Sequence, residues 1–105
     1  MGPSKTPTKA EREWMDAITE AGCIACYIDG NFRHGAVHHI VRGKRLGHLF
    51  TICLCDPGHH KQGSSLGMIS FHDRRKTFEA KYGTEFELLA MTKQRLGVFD
   101  KATYE

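Results

Sequence analysis

Cys23 and Cys26 are spaced C-x-x-C, and further along the chain Cys55 and His59 are spaced C-x-x-x-H. Three thiolates and an imidazole are the four donors that a closed tetrahedral zinc site requires. Cys53 is an alternative to Cys55. Cys55 is preferred because it opens the turn that carries His59, whereas Cys53 lies two residues back and suits the role of a small buried hydrophobe. A zinc held by Cys23, Cys26, Cys55 and His59 leaves His38, His39 and His60 over. It also ties their flanking segments together, which gathers these three imidazoles into one neighbourhood. Imidazole can bind a metal or exchange a proton near neutral pH, so this group is the candidate for chemistry.

The elements that position these residues can be read from periodicity and caps. Thr8 and Glu11 have capping-box spacing, and Ala10, Trp14, Ala17, Ile18 and Ala21 follow at helical intervals as far as Gly22. A first helix over about residues 9–21 is expected, with Trp14 facing the core. Cys23 to Cys26 is read as a turn. Ala36 to Val41 is read as a short strand, Arg42 to His48 as a glycine-punctuated basic loop, and Leu49 to Leu54 as the returning strand of an antiparallel hairpin. Adjacent strand residues face opposite ways, so His38 and His39 suit a division of labour in which one binds metal and the other handles a proton. Asp56-Pro57 reads as the cap and first residue of a short helix bearing His59 and His60.

Strand, loop, strand and helix around a metal make a ββα-metal arrangement. Gly63 to Gly67 follows as a Ser/Gly-rich loop. Ser70 is expected to cap a helix over 71–82 with Phe71, Phe78 and Tyr82 on one stripe. Thr84 and Glu87 form a second capping box, opening a helix over about 85–96 with Phe86, Leu89 and Ala90 inward.

The 105 residues, with one Trp, six Phe and three Tyr, support a single domain with a thin core, for which a metal staple is a natural supplement. The expected layout is a flexible tail over 1–7, one domain over 8–97 and a C-terminal tail over 98–105. No run resembles a signal peptide or a membrane span, so a cytosolic protein without membrane contact is expected. In a reducing compartment four Cys and seven His read as metal ligands rather than disulfides.

The formal net charge of +3 is modest, but no Asp or Glu occurs between Asp29 and Asp56, a span that holds Arg33, Arg42, Lys44 and Arg45. Such a segment around a histidine cluster suits a polyanion such as a nucleic-acid backbone; an ordinary solvated loop is the plain alternative. Arg42, Lys44 and Arg45 are the candidate phosphate contacts. Arg74, Arg75 and Lys76 are a second candidate patch, more simply read as a solvated helix face. His72 is read as a phosphate contact, an additional metal ligand or a surface residue, and His34 and His48 as loop residues in solvent or near phosphate.

V-H-H-I followed by L-C-D-P-G-H-H resembles the HNH endonuclease superfamily, whose ββα-metal finger is often braced by a separate C-x-x-C zinc. The resemblance implies that His39 is the general base and that His38 and His60 hold a catalytic divalent cation, Mg or Mn. Phosphodiester hydrolysis needs both a base for water and a cation for the developing charge. The middle asparagine of that motif has no counterpart, since the only Asn is Asn31, and His48 or a backbone group is expected in its place. The cation site reads as poor in carboxylates, leaving phosphate oxygens and water to complete the shell.

A closer resemblance is to the recombination enhancement function (Ref) nucleases of temperate phages. It rests on E-W-M, G-C-I-A-C-x-x-D-G, V-H-H-I, L-C-D-P-G-H-H and H-D-R-R-K-T-F-E-A-K-Y-G-T-E-F-E-L-L, and the last of these is not shared by generic HNH fingers. It implies DNA as substrate, a RecA-type recombinase filament as partner, and action in phage recombination within the host cytoplasm. The expected molecule is an α+β, monomeric, zinc-braced HNH finger with an N-terminal helix and two C-terminal helices. Two other readings are a non-catalytic zinc-finger binding module and a scaffold stapled by two zinc ions. The histidines beyond the zinc set favour the enzyme.

Overall fold

A computed structural model describes residues 6–56, 58–60 and 68–97. Residues 1–5 of the tail expected over 1–7, the tail expected over 98–105, the Ser/Gly-rich loop over 63–67 and Pro57, the expected first residue of the short helix, lie outside them. Thr8 opens helix α1 (Lys9–Ala21): its hydroxyl accepts from the Glu11 amide and the Glu11 carboxylate accepts from the Thr8 amide, which is the expected capping box. The helix stops at Gly22, whose φ of +91° suits only glycine and whose added Cβ would lie 2.5 Å from the Phe32 ring. The chain then enters α2 (Ile24–Ile28), one short helix where a turn was expected.

Strand β1 (Ala36–His39) pairs antiparallel with β4 (Thr51–Leu54), in a register that sets His38 opposite Ile52 and His39 opposite Thr51. The first expected strand does not run on to Val41 unbroken. Ile40, fully buried, donates its amide to Phe50 and accepts from Leu46, and so splits off a second small hairpin of β2 (Val41–Arg42) and β3 (Lys44–Arg45). The basic loop is thus an ordered finger turning at Gly43.

Every residue of β4 is buried, because α1, α2 and α4 all pack against it. Trp14 and Ile18 of α1 join Ile52 and Leu54 in the core, and the Trp14 indole N–H donates to Thr51 Oγ1 at 3.0 Å, which anchors α1 to the strand.

The C-terminal half corrects two expectations. The third helix, α3 (Arg75–Tyr82), begins four residues later than expected and Ser70 does not cap it. Phe71 and His72 instead donate their amides to the carbonyls of His59 and His60, so this stretch is held against the turn that carries those two histidines before the helix starts. Helix α4 (Glu85–Leu96) opens on the expected Thr84–Glu87 box, but its buried face is Glu85, Leu88, Leu89 and Thr92. Phe86 and Ala90 are exposed, one step out of phase with the expected stripe. Among the described residues no helix is long and apolar enough to cross a membrane.

The Trp14–Thr51 link gives a stability test. Thr51→Val removes the indole's acceptor and the hydroxyl's bond to the His48 carbonyl, and is expected to cost about 1–3 kcal/mol. Trp14→Ala should cost about 3–5 kcal/mol through the cavity it opens. Urea unfolding followed by circular dichroism should show lower midpoints with an unchanged slope. A midpoint unmoved by Thr51→Val would show that the link does not anchor α1.

Candidate metal and active centre

Cys23 caps α2, so the turn that begins the helix places both thiols of the C-x-x-C side by side, with the Cys26 amide donating to Cys23 Sγ at 3.4 Å. Cys55 leaves β4 from the opposite side, and the His59 amide donates to its sulfur at 3.3 Å. His59 Nδ1 then lies 3.4 Å from Cys23 Sγ, 3.5 Å from Cys26 Sγ and 3.2 Å from Cys55 Sγ, and Cys26 and Cys55 are 3.8 Å apart. Zinc–sulfur and zinc–nitrogen bond lengths place tetrahedral donors roughly 3.5–3.8 Å from one another, and these separations fit that shape closely. All four residues are buried and the cysteines are free thiols. Burial pushes the Cys23 and Cys26 thiols up, and a bound ion would reverse that by deprotonating them. The group can therefore hold a metal ion such as zinc. Cys53 stays outside it, a buried thiol pushed up to about 12 chiefly by burial.

His59 is held from behind as well. Its Nε2 lies 3.1 Å from the Tyr82 hydroxyl, which donates to Asp29 Oδ2 at 2.6 Å. With Nδ1 facing the sulfurs, Nε2–H donates to Tyr82 and the proton pattern of the chain is fixed. Burial lowers the His59 pKa despite the opposing charge of Asp29, so the ring is a neutral donor. Such outer partners orient a ligand imidazole and raise its basicity. Neither Asp29 nor Tyr82, which was expected on a helix stripe with Phe71 and Phe78, gave a sequence signal for this role. Gly58 is held to glycine here, because an added Cβ would lie 2.7 Å from Cys55 Sγ.

A second group lies across the sheet. His38, His60 and His72 each offer a nitrogen within 4.8 Å of the others'. The ring centroids are 5.1 Å apart for His38–His60, 5.3 Å for His38–His72 and 4.9 Å for His60–His72. The backbone bond from His72 to the His60 carbonyl aligns those two, and the strand brings His38. The expected short helix bearing His59 and His60 is replaced, in the described residues, by a turn over 58–60 in which the His60 amide bonds the Cys55 carbonyl.

Sequence reasoning missed Glu85. Its side chain is 3 % exposed, and its Oε2 sits 2.6 Å from His38 Nε2. The other oxygen takes Arg42 Nη1 at 2.7 Å and Arg75 Nη2 at 3.4 Å. Burial alone would raise its pKa, but the bonds and charges of His38 and Arg42 outweigh it and hold the group ionised. The site is thus not without a carboxylate. Glu85 thus engages Nε2 of His38 and leaves its Nδ1 to other partners.

His39 diverges as the strand alternation requires. Its Nε2 is 3.1 Å from His48 Nδ1, and burial followed by the charge of Arg45 lowers its pKa, keeping the ring neutral near pH 7. An open cleft of about 270 Å3 is lined by His38, His39, Val41, Phe71, His72, Arg75 and Glu85. Lys44 and Arg45 are exposed on the finger, Arg42 is already engaged by Glu85, and His34, in neither donor group, packs edge-on to Phe32.

The family model described as "Recombination enhancement, RecA-dependent nuclease" matches residues 7–97. No curated protein matches the chain.

The Tyr82–Asp29 brace predicts a loss of metal affinity without loss of any donor. Tyr82→Phe should weaken zinc binding roughly 10–100-fold in a chelator competition while circular dichroism of the loaded protein stays unchanged. Cys55→Ala should bind zinc far more weakly still and lose helix signal at a lower temperature, since folding and binding are linked. Equal zinc affinity in Tyr82→Phe and the parent chain would rule the brace out.

Proposed function

We propose, because the chain belongs to the family of recombination-enhancement, RecA-dependent nucleases, that it hydrolyses DNA phosphodiesters in the histidine cleft as a zinc-braced HNH endonuclease. The observation that carries this reading is the adjacency of two differently equipped groups: a trio of imidazoles within 4.8 Å, and beside it a neutral histidine held by a second ring.

In this mechanism His39 is the general base. Its Nε2–H donates to His48 Nδ1, which leaves His39 Nδ1 to take the proton of the attacking water. His48 thereby orients the base, the task expected of the missing asparagine. His38, His60 and His72 hold a divalent cation, which when bound stabilises charge on the phosphate and the leaving oxygen. Glu85 fixes the tautomer of His38 and contributes a negative charge behind it. A set of three imidazoles favours Mn over Mg more than the expected pair would, because Mg prefers oxygen donors. Arg45 and Lys44 on the finger, with Arg42 at its base, draw the DNA backbone toward the cleft. Zinc in the Cys23, Cys26, Cys55 and His59 group is structural, and the β1–β4 hairpin with the turn at 58–60 forms the metal finger.

DNA paired by a recombinase filament is the substrate form that the family description favours. Nicking of single-stranded and duplex DNA with Mg or Mn, alone and on RecA filaments, tests the proposal. His39→Ala should lower cutting by about 10²–10⁴-fold with zinc content intact. His72→Ala should raise the Mn concentration needed for half-maximal cutting more than it lowers the rate at saturating Mn. A zinc-loaded chain that binds DNA yet never cuts under any of these conditions would leave a binding module instead.

A further inference from the structure

Arg42 and Arg75 come from different parts of the chain, the finger and the first turn of α3, yet both end on the same buried oxygen, Oε1 of Glu85. Each guanidinium also lies over an aromatic ring at 4.9 Å, Arg42 over Phe86 and Arg75 over Phe71. A buried carboxylate needs partners, and neutralising Glu85 is the plain explanation for the pair. That need is met before Arg75 is counted. Oε2 is bonded by His38, Oε1 by Arg42, and Glu85 stands at the first position of α4, where the helix dipole favours a negative charge. Arg75 adds a longer contact from a half-exposed side chain, worth little to stability. Two guanidiniums therefore converge on one buried carboxylate beside the cleft, with Arg75 also paired to the partly exposed Glu79.

The donors are not exhausted either. Of five guanidinium N–H groups, Arg42 uses both on Nη1, for the Val41 carbonyl and Glu85, and keeps Nε–H and the two on Nη2. Arg75 spends Nε on Glu79 and one Nη2 hydrogen on Glu85, and keeps three. Glu79 is a competing carboxylate on Arg75, and the pair is partly exposed.

We propose that Arg42 and Arg75 form a two-guanidinium clamp that grips a backbone phosphate of the substrate strand at the mouth of the histidine cleft, with Glu85, Phe86 and Phe71 holding the two forks in place. This rests on the nuclease reading above and adds to it a fixed phosphate site. It differs from a diffuse basic surface because stacked, planar forks bind phosphate oxygens in pairs, and lysine cannot copy that geometry. It also makes Glu85 a positioning residue with two outputs, His38 toward the cation and the arginines toward the phosphate.

Binding of labelled single-stranded and duplex oligonucleotides by the zinc-loaded full chain, followed by fluorescence anisotropy over a salt series without divalent ion, reads the clamp directly. Arg42→Ala and Arg75→Ala are each expected to weaken binding by about 10-fold and to reduce the duplex salt slope by about 0.9. Lys76→Ala, on the same helix but off Glu85, should weaken binding much less. If an alanine variant loses its fold by circular dichroism or zinc content, the pair Arg42→Lys and Arg75→Lys carries the test. It should keep the salt slope while cutting at least about 10-fold more slowly under saturating Mn.

A double alanine variant that binds with the parent affinity and slope, or a double lysine variant that cuts at the parent rate, overturns the clamp. Either result, together with loss of cutting in His39→Ala, leaves the nuclease reading standing. A parent chain that neither binds nor cuts DNA removes both.

Discussion

Three buried thiols and one buried imidazole whose donor atoms lie within 4.8 Å of one another are the constraint on which the rest of the chain depends. Without an ion they are four polar groups in a thin core, with burial holding two of the thiols protonated. With an ion they become one closed unit joining the start of α2 to the end of β4 and the turn beyond it. His60 follows directly on the last of these segments, and the β1–β4 pairing carries His38 and His39 beside them. The effect is stronger than that of an apolar contact of equal size, because coordination fixes direction as well as distance.

The two metal groups are connected through single residues. His59 faces the cysteines, and His60, the next residue, faces His38 and His72. Their carbonyls accept the amides of Phe71 and His72. Placing the zinc ligand thus places the next imidazole, and through the backbone pairing the third one. On β1 the same economy appears as strand alternation: His38 turns to the trio and Glu85, and His39 turns to His48. The different surroundings of the two adjacent imidazoles are a consequence of backbone pleat.

Much of this was legible in the sequence because its cause is local. The capping boxes at Thr8 and Thr84 depend on residues three apart, and both formed. The choice of Cys55 over Cys53 followed from which residue opens a turn, and only Cys55 lies in the four-donor group. What was not legible depends on partners distant in the chain. The phase of α4 was misread because its buried stripe begins with a carboxylate, and hydrophobic periodicity counts Glu85 as surface. Its burial makes sense only once His38, Arg42 and Arg75 are known to meet it. The late start of α3 has the same origin, since the residues before it are held by carbonyls of the metal turn. Tyr82 was placed correctly in the core, but the bonds of its hydroxyl to His59 and Asp29 lie beyond any local pattern.

Glu85 shows why a departure from the expected pattern marks function rather than error. A carboxylate at 3 % exposure is a poor choice for packing, and an apolar residue in its place would leave the stripe of α4 regular. Its cost is offset by three cationic or hydrogen-bonding partners, two of which, His38 and Arg75, line the cleft. Removing the acid would spare α4 a buried charge but would release His38 to either tautomer and free two arginines from their common anchor. The helix most distant in sequence from the metal finger therefore sets how that finger presents its imidazole. The β1 strand supplies the imidazole of His38, and α4 supplies the buried charge that holds it.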